Sequence, residues 1–584
     1  MASRSPQRPL RSKSNGSTTP TIPETKPVSY TPKCTPEEYI KAIAHHSQQS
    51  SAETLYPGDI YDTLTQFLEL KPNILPNTAN CPPSSDFAWL ISPGQSGQQA
   101  SSDRQSLSER HSISETNTNQ RQLEGFTDPD SCIEALRSKI EISHPQILFL
   151  RGHPSPSWLS KIGAFCYVDP ELFRWFLRYR AGPGSDYYFD SAPSTMSNIF
   201  RFKFFTIGSK NRLYRSSQRE IDALRRKAAN EFQRYQAEIK GNWALKPGDS
   251  IVRNFHVLDE RHCLIEQEIV ISIFDVGKTW MAIACTDAGH DLAQGPRFPW
   301  LTTGVESLPI TLLPIFQYRP KCALKSRSIN NGTAEPKKGR NTQSLAVFPE
   351  DYGRGLDWSL AKSDRFHILS DLFRLAAFSQ KQLLNVMKEK ITTETNRLSL
   401  GNENPTLANL LYFRDILQDQ LSNISHMLQL TNNQNNILQN GRRPSIIIST
   451  DQRGVTDYAV AEAHALFEDL HSQAQSLQER CTQEMTVISN NSMLAESERA
   501  IQQAKSITKL TIVAFVYLPF TFTAGFFGMN FKELGSGTIP LWIFFAASLP
   551  LMLVTMGIFA LDAETIRRVL RVLRIAYREP PYLA

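Results

Sequence analysis

The fold is decided by an apolar stretch near the C-terminal end of the chain, LTIVAFVYLPFTFTAGFFGMN, which runs from Leu510 to Asn530 and carries no charge. A helix needs about 20 predominantly apolar residues to cross a bilayer, so we predict a first membrane span over residues 507–530. A second charge-free run predicts another span over 539–561. Residues 531–538 are too few for a domain and form an outer loop. A buried hairpin in a soluble core is the alternative reading of the same two runs.

Basic residues around the two runs indicate the orientation of the predicted hairpin. The residues before the first span and after the second are rich in arginine and lysine, whereas the loop has one cation, Lys532, beside Glu533. By the positive-inside rule, both termini of this multi-pass protein lie in the cytoplasm. Residues 562–584 then form a basic cytoplasmic tail.

One face of the first predicted span is small or mildly apolar, with one hydroxyl and no carboxylate. Residues three or four apart share a face of a helix. Counting back from Gly528, this face comprises Ile507, Leu510, Ala514, Leu518, Thr521 and Gly525. Such a surface suits Mg²⁺, which dehydrates reluctantly, and the Asn530 amide at its end can hydrogen-bond to a hydration shell. Small residues in membrane helices also mediate close packing, so the residues alone leave both interpretations open.

The segment from Leu510 to Phe531, which ends the first of two C-terminal spans on Gly-Met-Asn, resembles the first membrane helix of the CorA family of magnesium channels. The resemblance implies a homopentameric funnel with an α/β cytoplasmic domain and a stalk helix continuous with the first span. It implies a selectivity filter at Gly528, Met529 and Asn530, where Asn530 contacts the metal through water. It also implies that the pore is lined by Ile507, Leu510, Leu518, Thr521 and Gly525.

The chain departs from the family pattern at two points. Phe527 stands where the family usually has tyrosine, so the ring is kept and its hydroxyl is lost. In the outer loop, the acid Glu533 lies next to Lys532, which mutes any concentration of cations at the mouth. The family's cytoplasmic magnesium-sensing acids have no assigned positions in this chain.

Upstream of the spans, composition predicts three regions. Residues 1–130 are expected to be a largely disordered tail and linker, with short helices near 36–43 and 60–70. A mitochondrial presequence is the alternative for the basic start, but its prolines disrupt an amphipathic helix. Residues 131–360 are expected to form an α/β/α cytoplasmic domain with strands at 147–150, 199–207, 251–255, 263–274 and 280–285. We interpret Asp169 and Glu171 as helix-capping residues.

Residues 361–506 are predicted to form a helical stalk region. Helices are expected over 360–398 and 406–439, and a third begins after Gly454 and runs into the membrane without Gly or Pro before Pro519. Its close-to-heptad apolar spacing predicts a coiled-coil seam at Leu466, Leu470, Ala474, Leu477, Cys481, Ile488 and Ala495. The fold class is therefore an α+β membrane protein with a cytoplasmic α/β/α domain, a long stalk helix and two C-terminal transmembrane helices.

The sequence shows no motif of catalysis. A phosphate-cradling glycine loop, a paired-histidine metal motif and a nucleophile motif in a strand–turn–helix setting are all missing. The eight scattered cysteines form no Cys-x-x-Cys pair. A basic loop over 321–344 is typical of an exposed connection, although it could touch anionic lipid or nucleic acid. We expect no enzyme activity, no organic cofactor and no nucleic-acid partner.

These observations predict a CorA-like divalent metal ion channel that conducts hydrated Mg²⁺ down the membrane potential as a homopentamer in a lipid bilayer. Transport of Zn²⁺, Co²⁺ or Ni²⁺ is one alternative, but these ions favour imidazole, thiolate or carboxylate ligands, which the predicted pore face lacks. A membrane-anchored scaffold that does not conduct is the other. The plasma membrane is the expected location, with vacuolar and mitochondrial membranes as alternatives.

Overall fold

The structure is a computed structural model of the 584-residue chain. It describes residues 34–50, 52, 54–70, 86–94, 121–141, 144–180, 198–210, 217–241, 245–276, 279–292, 295–296, 310–316, 343–398, 403–439, 450–528, 532 and 538–560. Met529, Asn530, Glu533, most of the basic loop and the C-terminal tail lie outside the described residues. The chain divides into two compact units, residues 1–481 and 482–584.

The N-terminal unit contains an eight-stranded mixed sheet. Its strands are β1 (Ala88–Pro93), β2 (Arg121–Phe126), β3 (Gln146–Arg151), β4 (Ile199–Lys210), β5 (Asn254–Val257), β6 (His262–Val276), β7 (Thr279–Thr286) and β8 (Ile310–Leu312). The order is β2-β1-β3-β7-β6-β4-β8, with β5 beside β6. β3 and β7 are parallel, whereas the other pairs are antiparallel. β3 is buried along its whole length, which explains its continuous apolar sequence.

The structure corrects the predicted start of the α/β domain at residue 131. β1 lies inside the sheet, between β2 and β3, and its residues Leu90 and Ile91 are fully buried. β1 is only six residues long and precedes a long polar segment, so it is easily assigned to the same linker. Its backbone hydrogen bonds are nevertheless satisfied by strands on both sides, which a composition profile does not reveal.

The described residues include twelve α-helices. They are α1 (Pro36–Ser47), α2 (Asp62–Leu68), α3 (Pro129–Glu141), α4 (Pro156–Cys166), α5 (Pro170–Phe176), α6 (Gln218–Lys240), α7 (Ser344–Asp351), α8 (Trp358–Ser363), α9 (Ser370–Leu398), α10 (Glu403–Gln439), α11 (Thr450–Phe527) and α12 (Trp542–Ala560). Asp169 caps α5 as predicted, because its carboxylate accepts from the Glu171 amide at 2.9 Å. Glu171 does not cap the helix and instead binds the guanidinium of Arg174.

α9 and α11 run parallel and in register within the N-terminal unit. Arg374 contacts Glu462 at 3.0 Å, and Lys381 contacts Asp469 at 3.0 Å. Further along, Arg480 donates to the Thr392 hydroxyl at 3.2 Å. Each pair is separated by the same 88 residues in sequence. A constant offset requires the two helices to rise in the same direction.

The buried seam of α11 alternates in steps of three and four residues from Val460 to Cys481, which is typical of a coiled coil, and Ile488 follows seven residues later. Its buried members are Val460, Ala463, Phe467, Leu470, Ala474, Leu477, Cys481 and Ile488. Five of the seven predicted positions are therefore confirmed. Leu466 is wrong because the alternation selects its neighbour Phe467, whose ring packs against Phe373. Ala495 is exposed in the single chain, as are its neighbours from 489 to 510, so it takes no part in packing within the subunit and its role in a ring of subunits stays a prediction.

α9 is fastened to the edge of the sheet by two polar contacts. The Ser379 hydroxyl, fully buried, accepts from the Phe205 amide at 2.7 Å and donates to the Phe205 carbonyl at 3.1 Å. The Lys390 ammonium lies 2.6 Å from Asp259, in the turn between β5 and β6. Asp259 also accepts a hydrogen bond from the backbone amide of His262 at 2.7 Å. Burial disfavours the charge of Asp259, but these hydrogen bonds outweigh it and hold the pKa of the carboxyl well below its usual range.

Replacing Ser379 by alanine should destabilise the N-terminal unit. Ser379→Ala leaves the buried amide and carbonyl of Phe205 without their partner, which costs about 1–3 kcal/mol, so the thermal unfolding midpoint should fall. Ser138→Ala is the matched control, because Ser138 is exposed and its hydroxyl serves only its own helix. Equal midpoints for the two variants in a fluorescence-detected thermal scan would contradict this role of Ser379.

The Asp259–Lys390 contact should make stability sensitive to acid. Because the folded pKa of Asp259 is depressed, its contribution is complete above its unfolded pKa of about 3.9 and is lost as the pH falls further. The unfolding midpoint of the wild type should therefore drop more between pH 6 and pH 3 than that of Asp259→Asn. Asp415→Asn, at an exposed position, should retain the wild-type pH dependence. Parallel pH profiles for the wild type and Asp259→Asn would refute the contribution of this contact.

Candidate functional site

The candidate site lies in the C-terminal unit, where the end of α11 and the helix α12 form a hairpin. Among the described residues, one helix, Val460–Phe527, contains a stretch long and apolar enough to cross a membrane. Only 11% of that stretch is buried by the rest of the chain. A second apolar helix, Trp542–Gly557, falls short of the same length. One candidate span is therefore found where two were predicted, and the second stays a prediction.

The two helices pack through a narrow set of side chains. Pro519 and Thr523 on α11 are buried, as is Ser548 on α12. The Thr523 and Ser548 hydroxyl oxygens lie 2.8 Å apart. One turn away from Thr523, the rings of Phe520 and Phe544 have centroids 6.4 Å apart. These contacts define the packing face of α11.

The six predicted pore-lining residues occupy the other side of α11. A helix turns about 100° per residue, so Thr521 and Gly525, two positions on either side of Thr523, point away from it. All six side chains are exposed in the single chain: Ile507, Leu510, Ala514, Leu518, Thr521 and Gly525. We call this set the open face of α11. Since the hairpin uses other residues for its own packing, the open face is free to line a path or to meet another helix.

The open face presents one polar side chain. The Thr521 hydroxyl donates back to the Tyr517 carbonyl at 2.9 Å, which uses its single hydrogen within the helix. Its oxygen can still accept a hydrogen bond, for example from a water molecule. The neighbouring side chains Leu518 and Ala514 offer no ligand atom. This surface can guide a hydrated ion but cannot strip its water.

Gly528 ends α11 in a backbone conformation that suits glycine. Its φ is +56°, in the left-handed region, which is the usual conformation of the glycine that follows a helix. An added Cβ would meet nothing within 4 Å at Gly528 or at Gly525. In the segment that leads back to α12, the Lys532 amide donates to the Ile539 carbonyl at 2.9 Å. Of the predicted filter, the structure therefore places Gly528, while Met529 and Asn530 lie outside the described residues.

Charged side chains elsewhere in the described residues form ion pairs and hydrogen bonds within the fold. No group of three or more His, Cys, Asp or Glu side chains there could hold a metal ion. The best-ordered charge cluster joins β7 to the segment before β5, where Arg253 forms two hydrogen bonds with Asp287 at 2.7 and 2.8 Å. Burial raises the pKa of Asp287 to about 6 despite this partner. The pair is closed off inside the sheet domain and offers no open coordination position.

A family model supports the interpretation of the hairpin. Residues 362–561 match the family model described as CorA-like Mg2+ transporter protein. This segment is a CorA-like domain. It takes in α9, α10, α11 and α12, and the recognition made from the sequence is confirmed over these residues. The match covers about a third of the chain, and the sheet lies outside it.

Two further comparisons add little. The chain is similar to the complete structure of the CorA magnesium transporter from Methanocaldococcus jannaschii, with 12% sequence identity and coverage of 62% of this chain and 98% of that one. The TM-score is 0.23, a similarity too weak to define the fold. A comparison with curated protein sequences gives no match. The family of the CorA-like domain is one of divalent cation transporters rather than enzymes.

Sequence reasoning missed the Thr523–Ser548 pair of the CorA-like domain. Both residues are visible as hydroxyls inside apolar runs, and a polar group in hydrocarbon requires a partner. This signal marks the two residues as candidates. It does not pair them, because the sequence fixes neither the relative depth nor the rotation of the two helices.

Gly525 and Gly528 should respond differently to alanine. Gly528→Ala places a Cβ on a left-handed backbone, which costs roughly 1–2 kcal/mol, so the thermal midpoint in detergent should fall. Gly528→Asn should fall less, because asparagine tolerates this conformation. Gly525→Ala lies in regular helix with open space around it and should not lower the midpoint. A loss for Gly525→Ala as large as that for Gly528→Ala would indicate that the open face is packed tightly against another helix.

Proposed function

We propose that the protein is a divalent cation channel that conducts hydrated Mg²⁺ down the membrane potential. The observation that carries the proposal is that α11 has two separate faces, one packed against α12 and one exposed. The hairpin packs through Thr523 and its neighbours, whereas the open face stays exposed on the opposite side. The family match over 362–561 supports cation transport.

The proposed organisation is multi-pass, with spans at 507–530 and 539–561 and an outer loop at 531–538. Two spans cannot enclose an aqueous path, so conduction requires a ring of subunits, which we take to be a homopentamer. Both termini lie in the cytoplasm, including the tail 562–584. Residues up to about 360, including the strands β1 and β2, form the cytoplasmic domain, and residues 361–506 form the stalk. The plasma membrane is the proposed location.

The chemistry of the open face favours an ion that keeps its hydration shell. Mg²⁺ holds its waters more tightly than larger divalent ions. The side chains from Leu510 to Gly525 on this face offer apolar surface and the Thr521 oxygen, without a carboxylate, imidazole or thiolate. Zn²⁺, Co²⁺ and Ni²⁺ prefer those ligands. A ring of Asn530 amides at the outer end would hydrogen-bond to the waters of Mg²⁺ and select it without dehydration.

The driving force in this proposal is electrical. A divalent ion that crosses a potential of 100 mV, negative inside, gains about 4.6 kcal/mol, or about 2.3 kcal/mol per charge. This is enough to concentrate Mg²⁺ strongly without hydrolysis of a nucleotide. The small, uncharged lining binds the ion weakly, and weak binding permits release on the inner side.

Asn530→Ala should abolish Mg²⁺ uptake into proteoliposomes under an imposed inside-negative potential. The variant removes the amide that would hold the hydrated ion at the filter. The matched control is Asn490→Ala, which removes an amide from an exposed position of α11 far below the predicted span, and its uptake should equal that of the wild type. Absence of uptake by a folded, pentameric wild type would contradict conduction and favour a membrane-anchored scaffold. Equal uptake by the wild type and Asn530→Ala would instead exclude Asn530 as the filter.

A further inference from the structure

A pair of hydroxyl groups lies at the centre of the hairpin of the C-terminal unit. The side-chain oxygens of Thr523 and Ser548 are 2.8 Å apart. Thr523 is 4% exposed and Ser548 is fully buried. The two residues are 25 positions apart in sequence and belong to different helices. Their contact is therefore a specific link between α11 and α12.

The surroundings of the pair allow an arrangement in which both hydroxyl groups are satisfied. The Thr523 oxygen also lies 2.9 Å from the Pro519 carbonyl and 3.1 Å from the Phe520 carbonyl. A threonine has one hydrogen to donate. When Thr523 donates it to its own helix, Thr523 accepts the hydrogen of Ser548. Both hydroxyl groups are then satisfied inside the hairpin.

This link holds α11 at one rotation about its axis. Apolar side chains pack against lipid about as well as against a neighbouring helix, so they define the rotation poorly. If α11 rotates, Thr523 keeps the bond to its own helix, but the Ser548 hydroxyl loses its acceptor, and lipid offers no replacement. If α11 turned by a single residue, about 100°, Thr523 would lose Ser548. Among the contacts described for the hairpin, the hydroxyl pair is the one that depends most sharply on rotation.

The rotation that joins Thr523 to Ser548 also directs the open face. Thr521 and Gly525 flank Thr523 at two residues on either side, which places them across the helix from it. Both are exposed in the structure. A turn of α11 would replace them on that side by bulkier residues such as Phe522 or Phe526, whose rings are also exposed.

We propose that Thr523 and Ser548 are positioning residues that set which face of α11 meets the ion. They do not touch the ion themselves, and their role rests on the proposed function of the open face. The hydroxyl pair acts on conduction by holding Leu518, Thr521 and Gly525 toward the ion path. Its loss leaves the hairpin formed but allows α11 to occupy several rotations.

The test uses variants of the full chain that differ by the hydroxyl alone. Thr523→Val keeps the shape of the side chain and removes the hydroxyl, and Ser548→Ala removes the partner. Each should lower Mg²⁺ uptake about threefold, the size typical of a hydrogen bond between membrane helices. The double variant should be no worse than either single variant, because both changes remove the same bond. Thr523→Ser, which keeps the hydroxyl, should restore uptake.

Thr555→Val is the matched control. Thr555 lies in α12, and its hydroxyl donates only to the Met552 carbonyl of its own helix among the contacts described. The same chemical change at Thr555 should therefore leave uptake at the wild-type level. An equal loss in Thr555→Val and Thr523→Val would show a general effect of removing hydroxyl groups from the hairpin and would overturn the proposal.

A second measurement follows the rotation without relying on conduction. With Phe520→Cys and Phe544→Cys together, an oxidant should form a disulfide, because the two rings face each other in the structure. The pair Phe522→Cys and Phe544→Cys should form it slowly, because Phe522 is exposed and lies away from the packing face. Adding Thr523→Val should slow the first reaction and speed the second. The native cysteines all lie at or before Cys481, so an uncrosslinked parent supplies the background.

The two measurements separate the failure of the positioning role from the failure of the channel. A wild type without uptake contradicts the proposed function, and the disulfide rates then still decide whether the pair fixes the rotation. Wild-type uptake together with unchanged disulfide rates in Thr523→Val overturns the positioning role, whether or not uptake falls. Reduced uptake, changed rates and rescue by Thr523→Ser together support it.

Discussion

In our proposal, the hydrogen bond between Thr523 and Ser548 sets the rotation of α11 relative to α12 in the C-terminal hairpin. A helix in lipid has little apolar driving force to prefer one rotation, and a buried hydroxyl pair supplies that preference. Once Thr523 is turned inward, the helical repeat turns Thr521, Leu518 and Gly525 outward. The separation of packing and open faces therefore follows from one polar contact and the geometry of the helix. This separation gives the proposed ion path its chemical character.

In the N-terminal unit, a small number of polar contacts likewise fixes the positions of α9 and α11. Ser379 and Lys390 join α9 to the sheet. Side-chain hydrogen bonds join α11 to α9, each between residues 88 positions apart in sequence. The apolar seam of α11 adds a continuous contact beneath those polar pairs. Exposed ion pairs contribute little energy, so the seam supplies most of the stabilisation, while the polar pairs fix the register. Within the N-terminal unit, α9 therefore connects α11 to the sheet.

Much of this architecture is predictable from the sequence, for identifiable reasons. The uninterrupted run from Val455 to Leu518 predicts a single long helix, and α11 extends from Thr450 to Phe527. The alternating or continuous apolar runs at β3, β4, β6 and β7 are recognised because burial demands them. β1 is missed because its neighbours along the chain are polar, although its neighbours in space are strands. The sequence predicts Leu466 at a seam position that Phe467 occupies. The apolar spacing does not distinguish these adjacent residues, and only the contact of Phe467 with the Phe373 ring does so.

The open face itself is predictable, since it needs only the helical repeat, whereas its rotation relative to α12 requires the contact between helices. The central claim is that this face of α11 borders water in the assembled protein. The most direct measurement is the rate at which a water-soluble thiol reagent modifies single cysteines introduced in turn at residues 514–527. The account predicts a helical period, with fast modification at Leu518, Thr521 and Gly525 that Mg²⁺ slows, and slow modification at Phe520, Thr523 and Phe527. Uniform rates, or fast modification centred on Thr523, would contradict it.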